Sequence, residues 1–427
     1  MRSPGAGPRS LIDTIGRFAG GGPRRIARSA DLIVDHARGS YLVATDGTRY
    51  LDLVSGFGVA SLGHCHPQWV KAVVSQAERL AVTPMYTGEL AEYLSALAQV
   101  LPPRLDRTAL FSGGAEAVEV AVRLAQTATG RPGILTFGGS FHGKTVGVRY
   151  VGSLGTQEAG SLGPRWLTEY DFPACELHDP LTYGQCKESA SDLIAALDDG
   201  RTSDIAALLV EPVLGTAGNI PPRRQLLHQL RAACDEHGWL LILDESITGF
   251  GRTGSLFAFE QFGVQPDVLV AGKGLGGGFP VSAVSSSSEL WGSSCFAAPS
   301  ATSSSYGGNP LACAAAMATL RIVADEDFLG HVRHVASHAA SRLVELAGRS
   351  RHVARPRGIG LMLGFDLVNP DTGALADADT CSSVFRACRE RGVLLLADVP
   401  RVRLSPPLTL SVPETDQLFD VLSTVLT

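Results

Sequence analysis

Lysine is nearly absent. Only Lys71, Lys144, Lys187 and Lys273 occur, and the other 32 of the 36 cationic residues are arginine. Where lysine is this rare, one set inside a glycine-rich loop raises a question of chemistry. Long apolar runs are missing as well: none approaches the ~18 residues of a membrane span, so no membrane partner is expected. Excess positive charge is missing, with 36 basic residues against 42 acidic ones and a net charge of −6. That balance argues against a protein that coats nucleic acid and leaves a small-metabolite site as the default. Paired cysteine spacing is missing too. Cys65, Cys175, Cys186, Cys234, Cys295, Cys313, Cys381 and Cys388 are scattered without a CxxC, which reads as reduced thiols in the cytoplasm and excludes a zinc site or disulfide frame. Residues 1–30 hold Arg2, Arg9, Arg17, Arg24, Arg25 and Arg28 but no apolar h-region. They read as a flexible basic arm, with an organellar transit peptide the weaker alternative to it.

A chain of 427 residues is long enough to bury a core without staples and to form a two-lobed unit. Residues 41–53 (YLVATDGTRYLDL) read as a hairpin around Asp46-Gly47, a pair that tolerates positive φ. From about residue 105 short apolar runs alternate with helical periodicity: TALF (108–111), a helix over 115–128, GILTF (133–137), IAALLV (205–210), a helix near 224–237, WLLIL (239–243) and VLVAG (268–272). Such runs between helices indicate an α/β domain around a mostly parallel, buried sheet. Helices recur near 309–324 and 328–348, and FDL, VLLL and VRLS in the tail are candidate strands. The expected organisation is a basic arm (1–35), a small α+β lobe from both chain ends (36–75 and 326–427) and a large domain (76–325). Gly- and Ser-rich segments 152–166 and 286–308 read as loops.

Two anion-binding motifs compete. Gly138–Thr145 fits G-x-x-x-x-G-K-[ST] after a strand, and WLLILDE (239–245) looks like a Walker B strand, so a P-loop ATPase is a rival reading. A P-loop needs a helix directly after its Lys-Thr, and VGVRYVGSLG (146–155) is poor helix material. The second motif is Ser112-Gly113-Gly114, between the strand TALF and a strongly periodic helix. Glycines there let an anion approach the free N–H groups of the first helical turn, although an ordinary tight turn explains it as well. Asp244-Glu245 ends an apolar strand, where α/β proteins bind ligands; a helix cap or a surface acid is the plainer alternative. Lys273 follows another such strand among Gly274, Gly276, Gly277 and Gly278. A partly desolvated amine there favours its neutral, nucleophilic form, and the glycines imply that something comes close.

An anion cradle, a lysine for an aldehyde and a carboxylate for a pyridine nitrogen together suggest pyridoxal phosphate. The chain resembles the class III aminotransferases of the fold type I pyridoxal phosphate enzymes. The resemblance runs from about residue 36 to 412 through SGFGVASLGHCHP (55–67), GGAEAVEVAVRLA (113–125), SFHGKT (140–145), EPVLGTAGNIPP (211–222), LDESITGFGRTG (243–254), PDVLVAGKGLGGGFP (266–280), YGGNPLACAAA (306–316) and RLSPPL (403–408). It implies a homodimer with active sites at the interface and the basic arm laid on the partner. It implies that Lys273 takes the cofactor's aldehyde, Asp244 pairs with its ring nitrogen, Phe141 stacks on the ring beside His142, and Gly113, Gly114 and Ala115 hold the phosphate with Ser305 from the partner subunit. Glu211 and Arg403 would gate a substrate carboxylate, and Phe57, Tyr86 and Lys144 would line the substrate. The chemistry implied is amino-group transfer from an amine or amino acid to an oxo acid, with glutamate and 2-oxoglutarate as the pair. Epimerisation and decarboxylation are the alternatives on the same scaffold. The chain departs from the family at Gly113, where a hydroxyl is usual, and at Lys144, where arginine is frequent. It departs again at Ser246, where valine or isoleucine packs under the ring, and at Ile247, where glutamine often meets the cofactor.

Overall fold

In a computed structural model, which describes residues 8–20, 32–149, 151, 167–175, 180–181, 183, 190–191, 202–396 and 399–427, the expected hairpin is formed. Strands β1 (Val34–Arg38), β2 (Tyr41–Ala44) and β3 (Arg49–Asp52) pair antiparallel in order, and Gly47 takes φ 86° in the turn. β1 is an addition to the expected pair. After β3, Ser55, Gly56, Phe57 and Gly58 take four successive positive φ values. Asp52 holds this left-handed turn, its Oδ1 accepting from the N–H groups of Val54 and Ser55.

Seven strands build the central sheet: β4 (Arg107–Phe111), β5 (Gly133–Phe137), β6 (Leu167–Tyr170), β7 (Ile205–Val210), β8 (Leu240–Asp244), β9 (Val268–Ala271) and β10 (Ser282–Ser286). Their order is β4-β10-β9-β8-β7-β5-β6. β9, β8, β7, β5 and β6 are parallel neighbours, and β10 runs antiparallel to both β9 and β4. All of IAALLV is buried, because alternate side chains enter two different cores. Leu208 and Val210 join the helices Gly88–Val100, Leu226–His237 and Pro310–Val323. Ala207 and Leu209 join the helix Gly114–Thr129 on the opposite face.

β10 is the strand the apolar pattern conceals, since three residues of SAVSS are serine. Its buried hydroxyls are all satisfied: Ser282 donates to Gly113 O, Ser285 pairs with Thr108 Oγ1 and Ser286 donates to Asp267 O. A satisfied serine is tolerated in a core strand. The loop expected over 286–308 is corrected in part: Ser286 ends β10, and Ser288–Ser293 is a short helix capped by Ser287. The loop expected over 152–166 lies outside the described residues.

The remaining strands are β11 (Val353–Ile359), β12 (Met362–Leu367), β13 (Val393–Leu394) and β14 (Arg401–Leu404). β13 pairs parallel with β3, so the two ends of the chain share one sheet, while β11-β12-β14 form a second, antiparallel one. Helices Glu326–Arg349, Ala378–Glu390 and Val412–Leu426 close a core over them with Leu51 and Leu53. Among the described residues no helix is long and apolar enough to cross a membrane.

Candidate active site

β8 delivers Asp244 at its carboxyl end, and the carboxylate is 4% exposed. Oδ2 lies 2.8 Å from His142 Nδ1, and Oδ1 accepts from Ser246 N–H at 3.0 Å. Burial pushes this carboxyl up, but the hydrogen bond and charge of His142, the hydrogen-bonding side chain of Ser246 and the charge of Lys273 outweigh it and hold the group below its usual range. Asp244 is therefore an ionised carboxylate out of water. His142 is 3% exposed, and its Nε2 has no hydrogen-bond partner among the described residues.

Lys273 follows β9 in a short 3-10 turn, Lys273–Gly276, with φ 39°. A lysine in the left-handed region stores strain that the surrounding packing must hold. Burial lowers the proton affinity of its amine; Asp244 and Glu211 raise it, Arg403 lowers it, and the net shift is down. The glycines beside it serve packing. A Cβ on Gly274 would stand 3.4 Å from Phe250, one on Gly276 2.8 Å from Val281, and one on Gly277 would meet Thr319 and Trp69. What comes close to this run is the protein itself, which answers the expectation of a close approach.

The anion cradle has its context. Gly113 is the N-cap of the helix Gly114–Thr129 and carries no side-chain cap, and open space surrounds the position a Cβ would take. Ser246 Oγ stands 3.8 Å from where Gly114 would carry a Cβ and 3.4 Å from the same point on Gly272. The helix N-terminus, the end of β8 and the turn of Lys273 thus meet around one residue. The segment after β5 packs onto the cradle, where a Cβ on Gly143 (φ 135°) would collide with Ala115. Residues 146–149 are turns, so no helix follows Lys144-Thr145 and the P-loop reading fails on structure. Instead Thr145 Oγ1 donates to Glu119 Oε1 at 2.6 Å, and Gly147 N–H donates to the same oxygen at 2.9 Å.

Glu211, one residue beyond β7, is 3% exposed. Its Oε1 accepts from Phe141 N–H at 2.8 Å and its Oε2 from Gly215 N–H at 3.1 Å; burial pushes its carboxyl up. Glu211 therefore anchors the backbone that carries Phe141 and His142. Ile247 fills the space left by Gly215, whose Cβ would collide with its Cδ1. Arg403 on β14 acts on the amine of Lys273. Other named residues stand at the surface of the single chain: Phe57 is 40% exposed, Tyr86 98%, and Lys144 and Ser305 are exposed.

Two functional supports, Glu119 and Arg252, escape sequence reasoning, and the helix cap weighed for Asp244-Glu245 falls to Glu245 alone. Glu245 turns away from Asp244 and accepts from Thr248 Oγ1, Ala258 N–H and Phe259 N–H, capping the helix Ala258–Phe262; burial pushes its carboxyl up to about 7. Alternation along a strand sends neighbours to opposite faces, so only one acid of the pair reaches the site. Glu119 latches the segment behind His142. Arg252, fully buried, donates from Nη1 to Leu361 O and Pro406 O and ties the β8 turn to the segment after β14. Among the described residues no group of three or more His, Cys, Asp or Glu side chains could hold a metal.

The profile of the family described as aminotransferase class-III matches residues 25–426. The chain belongs to that family. The 5-aminovalerate aminotransferase of Pseudomonas aeruginosa is 33% identical over 388 residues, 88% of each chain. The 4-aminobutyrate aminotransferase of Escherichia coli is 32% identical over 416 residues, covering 94% of this chain and 95% of its own. The crystal structure of an amine transaminase from an uncultivated Pseudomonas species, with pyridoxal phosphate bound, is 30% identical and superposes with a TM-score of 0.84 over 96% of this chain and 97% of its own. As a class III aminotransferase the chain is a fold type I pyridoxal phosphate enzyme, and its substrates are small molecules. The residues present suit that cofactor: an anion cradle with room before it, an ionised carboxylate and an amine of lowered proton affinity.

Proposed function

We propose that this aminotransferase moves an amino group from an amino acid or amine donor to an oxo acid, with glutamate and 2-oxoglutarate as the pair. One observation supports the assignment of the site: β8 and β9 are paired parallel neighbours, and they bring Asp244 and Lys273 to the same carboxyl edge of the central sheet. Bound pyridoxal phosphate supplies the electron sink for a carbon that loses its proton. Lys273 would hold the cofactor's aldehyde and would serve as the group that moves the proton at the substrate carbon. Its lowered proton affinity favours the neutral amine, the form that accepts a proton. Asp244 would hold the ring nitrogen with its charge, and His142 would keep that charge in place. The N–H groups of Gly114 and Ala115 would take the phosphate, beside Gly113, with Ser305 of the partner subunit. Phe141, Ser246 and Ile247 would contact the ring.

Support for a homodimer comes from the surface. Met85 is 71% exposed, its sequence neighbour Tyr86 98% and Tyr306 65%, and large apolar groups left this open are candidates for an interaction site. A second copy of the chain covers them, the helix Pro8–Phe18 of the basic arm meets it, and Phe57, Tyr86 and Lys144 line the completed substrate site. Arg403 takes a substrate carboxylate, and Glu211 answers its charge when the substrate has none. The enzyme works in the cytoplasm.

The experiment is spectroscopic. The purified protein is expected to show the visible band of bound pyridoxal phosphate, and glutamate is expected to convert it to the pyridoxamine form. 2-Oxoglutarate then restores it. A protein that binds the cofactor but exchanges no amino group with any donor would overturn the reading.

A further inference from the structure

The central sheet and the antiparallel sheet β11-β12-β14 are separate, and one short turn reaches from the first to the second. It follows Glu211. Leu214 and Ile220 exchange both backbone hydrogen bonds across it, and Gly215 O accepts from the N–H groups of Gly218 and Asn219. The carboxylate of Glu211 closes its start, with Oε2 taking Gly215 N–H at 3.1 Å.

The side chain of Asn219 crosses to the second sheet. Asn219 is 1% exposed, and its Nδ2 donates to Leu363 O at 2.7 Å and to Leu404 O at 3.3 Å. Leu363 and Leu404 face each other across β12 and β14, and Leu404 directly follows Arg403. The backbone of Asn219 has φ 55°, in the left-handed region, which asparagine tolerates better than most residues with a side chain. Breaking a buried hydrogen bond strands a polar group, so such a contact resists being pulled apart.

The rest of the turn is fitted to the same sheet. Arg357 Nε donates to Gly218 O at 2.9 Å. A Cβ on Gly364 would stand 2.6 Å from Gly218 O, and one on Gly215 would stand 3.3 Å from Met362 Cε. A hydrogen-bonded path therefore joins the segment of Phe141 to the strand of Arg403. Phe141 N–H and Gly215 N–H both donate to Glu211, Asn219 N–H donates to Gly215 O, and Asn219 Nδ2 donates to Leu404 O. Proximity alone does not make such a path a coupling; an energetic test does.

We propose that Asn219 is a positioning residue for substrate selection: its amide clasps β14 to the turn of Glu211 and so fixes where Arg403 presents its guanidinium. The proposal rests on the reading of Arg403 as the group that takes a substrate carboxylate. In this role Asn219 acts through Arg403.

The test uses the holoenzyme with Asn219→Gly, Asn219→Ala, Arg403→Ala and the double variant of Asn219→Gly with Arg403→Ala. Glycine keeps the left-handed backbone and removes only the amide, whereas alanine removes the amide and adds strain. The half-reactions of 2-oxoglutarate and of benzylamine, which has no carboxylate, are measured separately. Asn219→Gly is expected to raise KM for 2-oxoglutarate about three- to tenfold, the scale of one or two lost neutral hydrogen bonds, and to change kcat and the benzylamine half-reaction less. In the Arg403→Ala background the same change is expected to add no further cost for 2-oxoglutarate, because the group it acts through is gone. Hydrogen exchange reads the clasp without turnover: residues 401–408 are expected to exchange faster in Asn219→Gly than in wild type. Wild-type selectivity in Asn219→Gly, an undiminished cost in the Arg403→Ala background, or unchanged exchange over 401–408 would overturn the clasp. A loss seen in Asn219→Ala but not in Asn219→Gly would overturn it too, by assigning the effect to backbone strain. If Arg403→Ala itself leaves the 2-oxoglutarate half-reaction untouched while Asn219→Gly speeds exchange, the carboxylate reading of Arg403 falls and the clasp stands.

Discussion

His142 Nδ1 lies 2.8 Å from Asp244 Oδ2, and neither side chain reaches solvent. The histidine makes an ionised carboxylate tolerable in a place where burial alone would protonate it. Asp244→Asn is expected to keep the fold and lower the half-reaction rate by about 100-fold or more, the scale of removing one preorganised charge. His142→Ala removes the support while keeping the acid. The Asp244 carboxyl then titrates at higher pH, so the acid-side fall in half-reaction rate is expected to move to higher pH than in wild type. A pH profile measured by stopped flow checks both, and an unmoved profile in His142→Ala would separate the pair.

Lys273 and Lys144 compete for the cofactor on sequence grounds. Lys273 is packed behind strained backbone beside Asp244, whereas Lys144 is exposed. Borohydride reduction followed by peptide mapping is expected to leave the cofactor on the peptide containing Lys273. An adduct at Lys144 would end the assignment. Lys273→Ala is expected to lower the half-reaction rate by about 10²- to 10⁴-fold, the usual worth of a positioned acid–base group.

Much of this architecture is legible in the residues, and the failures share a cause. Runs such as GILTF and IAALLV announce buried strands because they have no polar side. SAVSS does not, since its serines find acceptors on β4, Gly113 and Asp267 that only the fold supplies. Asp244 and Glu245 look alike in sequence; the pleat gives one to the site and the other to a helix cap. The glycines after Lys273 signal a close approach but not by what, and the neighbours are Trp69, Val281 and Thr319. Long-range partners, such as Glu119 under Thr145, leave no local pattern.

Gly143 is a test of the cradle's packing. Its φ is 135°, and a Cβ there would also press within 2.9 Å of Ala115 Cα. Gly143→Ala is expected to push the segment of Phe141 and His142 off the helix N-terminus, costing about 1–3 kcal/mol as overpacking does. Dialysis against cofactor-free buffer is the measurement, and the variant is expected to lose pyridoxal phosphate faster than wild type. Equal retention would show that the segment does not depend on this contact.

Glu245 makes stability depend on pH. Its carboxyl is raised from 4.5 to about 7 by burial. The folded chain therefore holds a proton that the unfolded chain has released, and stability falls as pH rises from about 4.5 to about 7. Denaturant midpoints across that window check the sign. Glu245→Gln is expected to be less stable throughout, because the cap loses an acceptor, but to lose this part of the slope. A slope unchanged in the variant would assign the dependence to other groups.

Glu211 and Arg403 are expected to act differently on the two half-reactions. A transaminase receives an amine-bearing molecule and an oxo acid in turn at one place. An arginine kept there for the oxo acid is a buried charge whenever the other substrate lacks a carboxylate, and such a charge costs several kcal/mol, roughly. The proposed partner for that charge is Glu211, whose carboxylate also holds the amides of Phe141 and Gly215. Its removal therefore has two effects that must be told apart. Arg403→Ala is expected to weaken the oxo-acid half-reaction at least tenfold more than that of an amine without a carboxylate, the scale of a lost bidentate contact. Glu211→Ala is expected to do the reverse, and in addition to loosen the cofactor, because Phe141 loses its anchor. Glu211→Gln retains one amide acceptor but no charge, so it is expected to keep more cofactor than Glu211→Ala while showing the same shift toward carboxylate substrates. Separate stopped-flow measurement of each half-reaction, with cofactor content read by absorbance, distinguishes these outcomes. If both half-reactions fall equally in every variant, the pair serves packing and the site selects its substrates elsewhere.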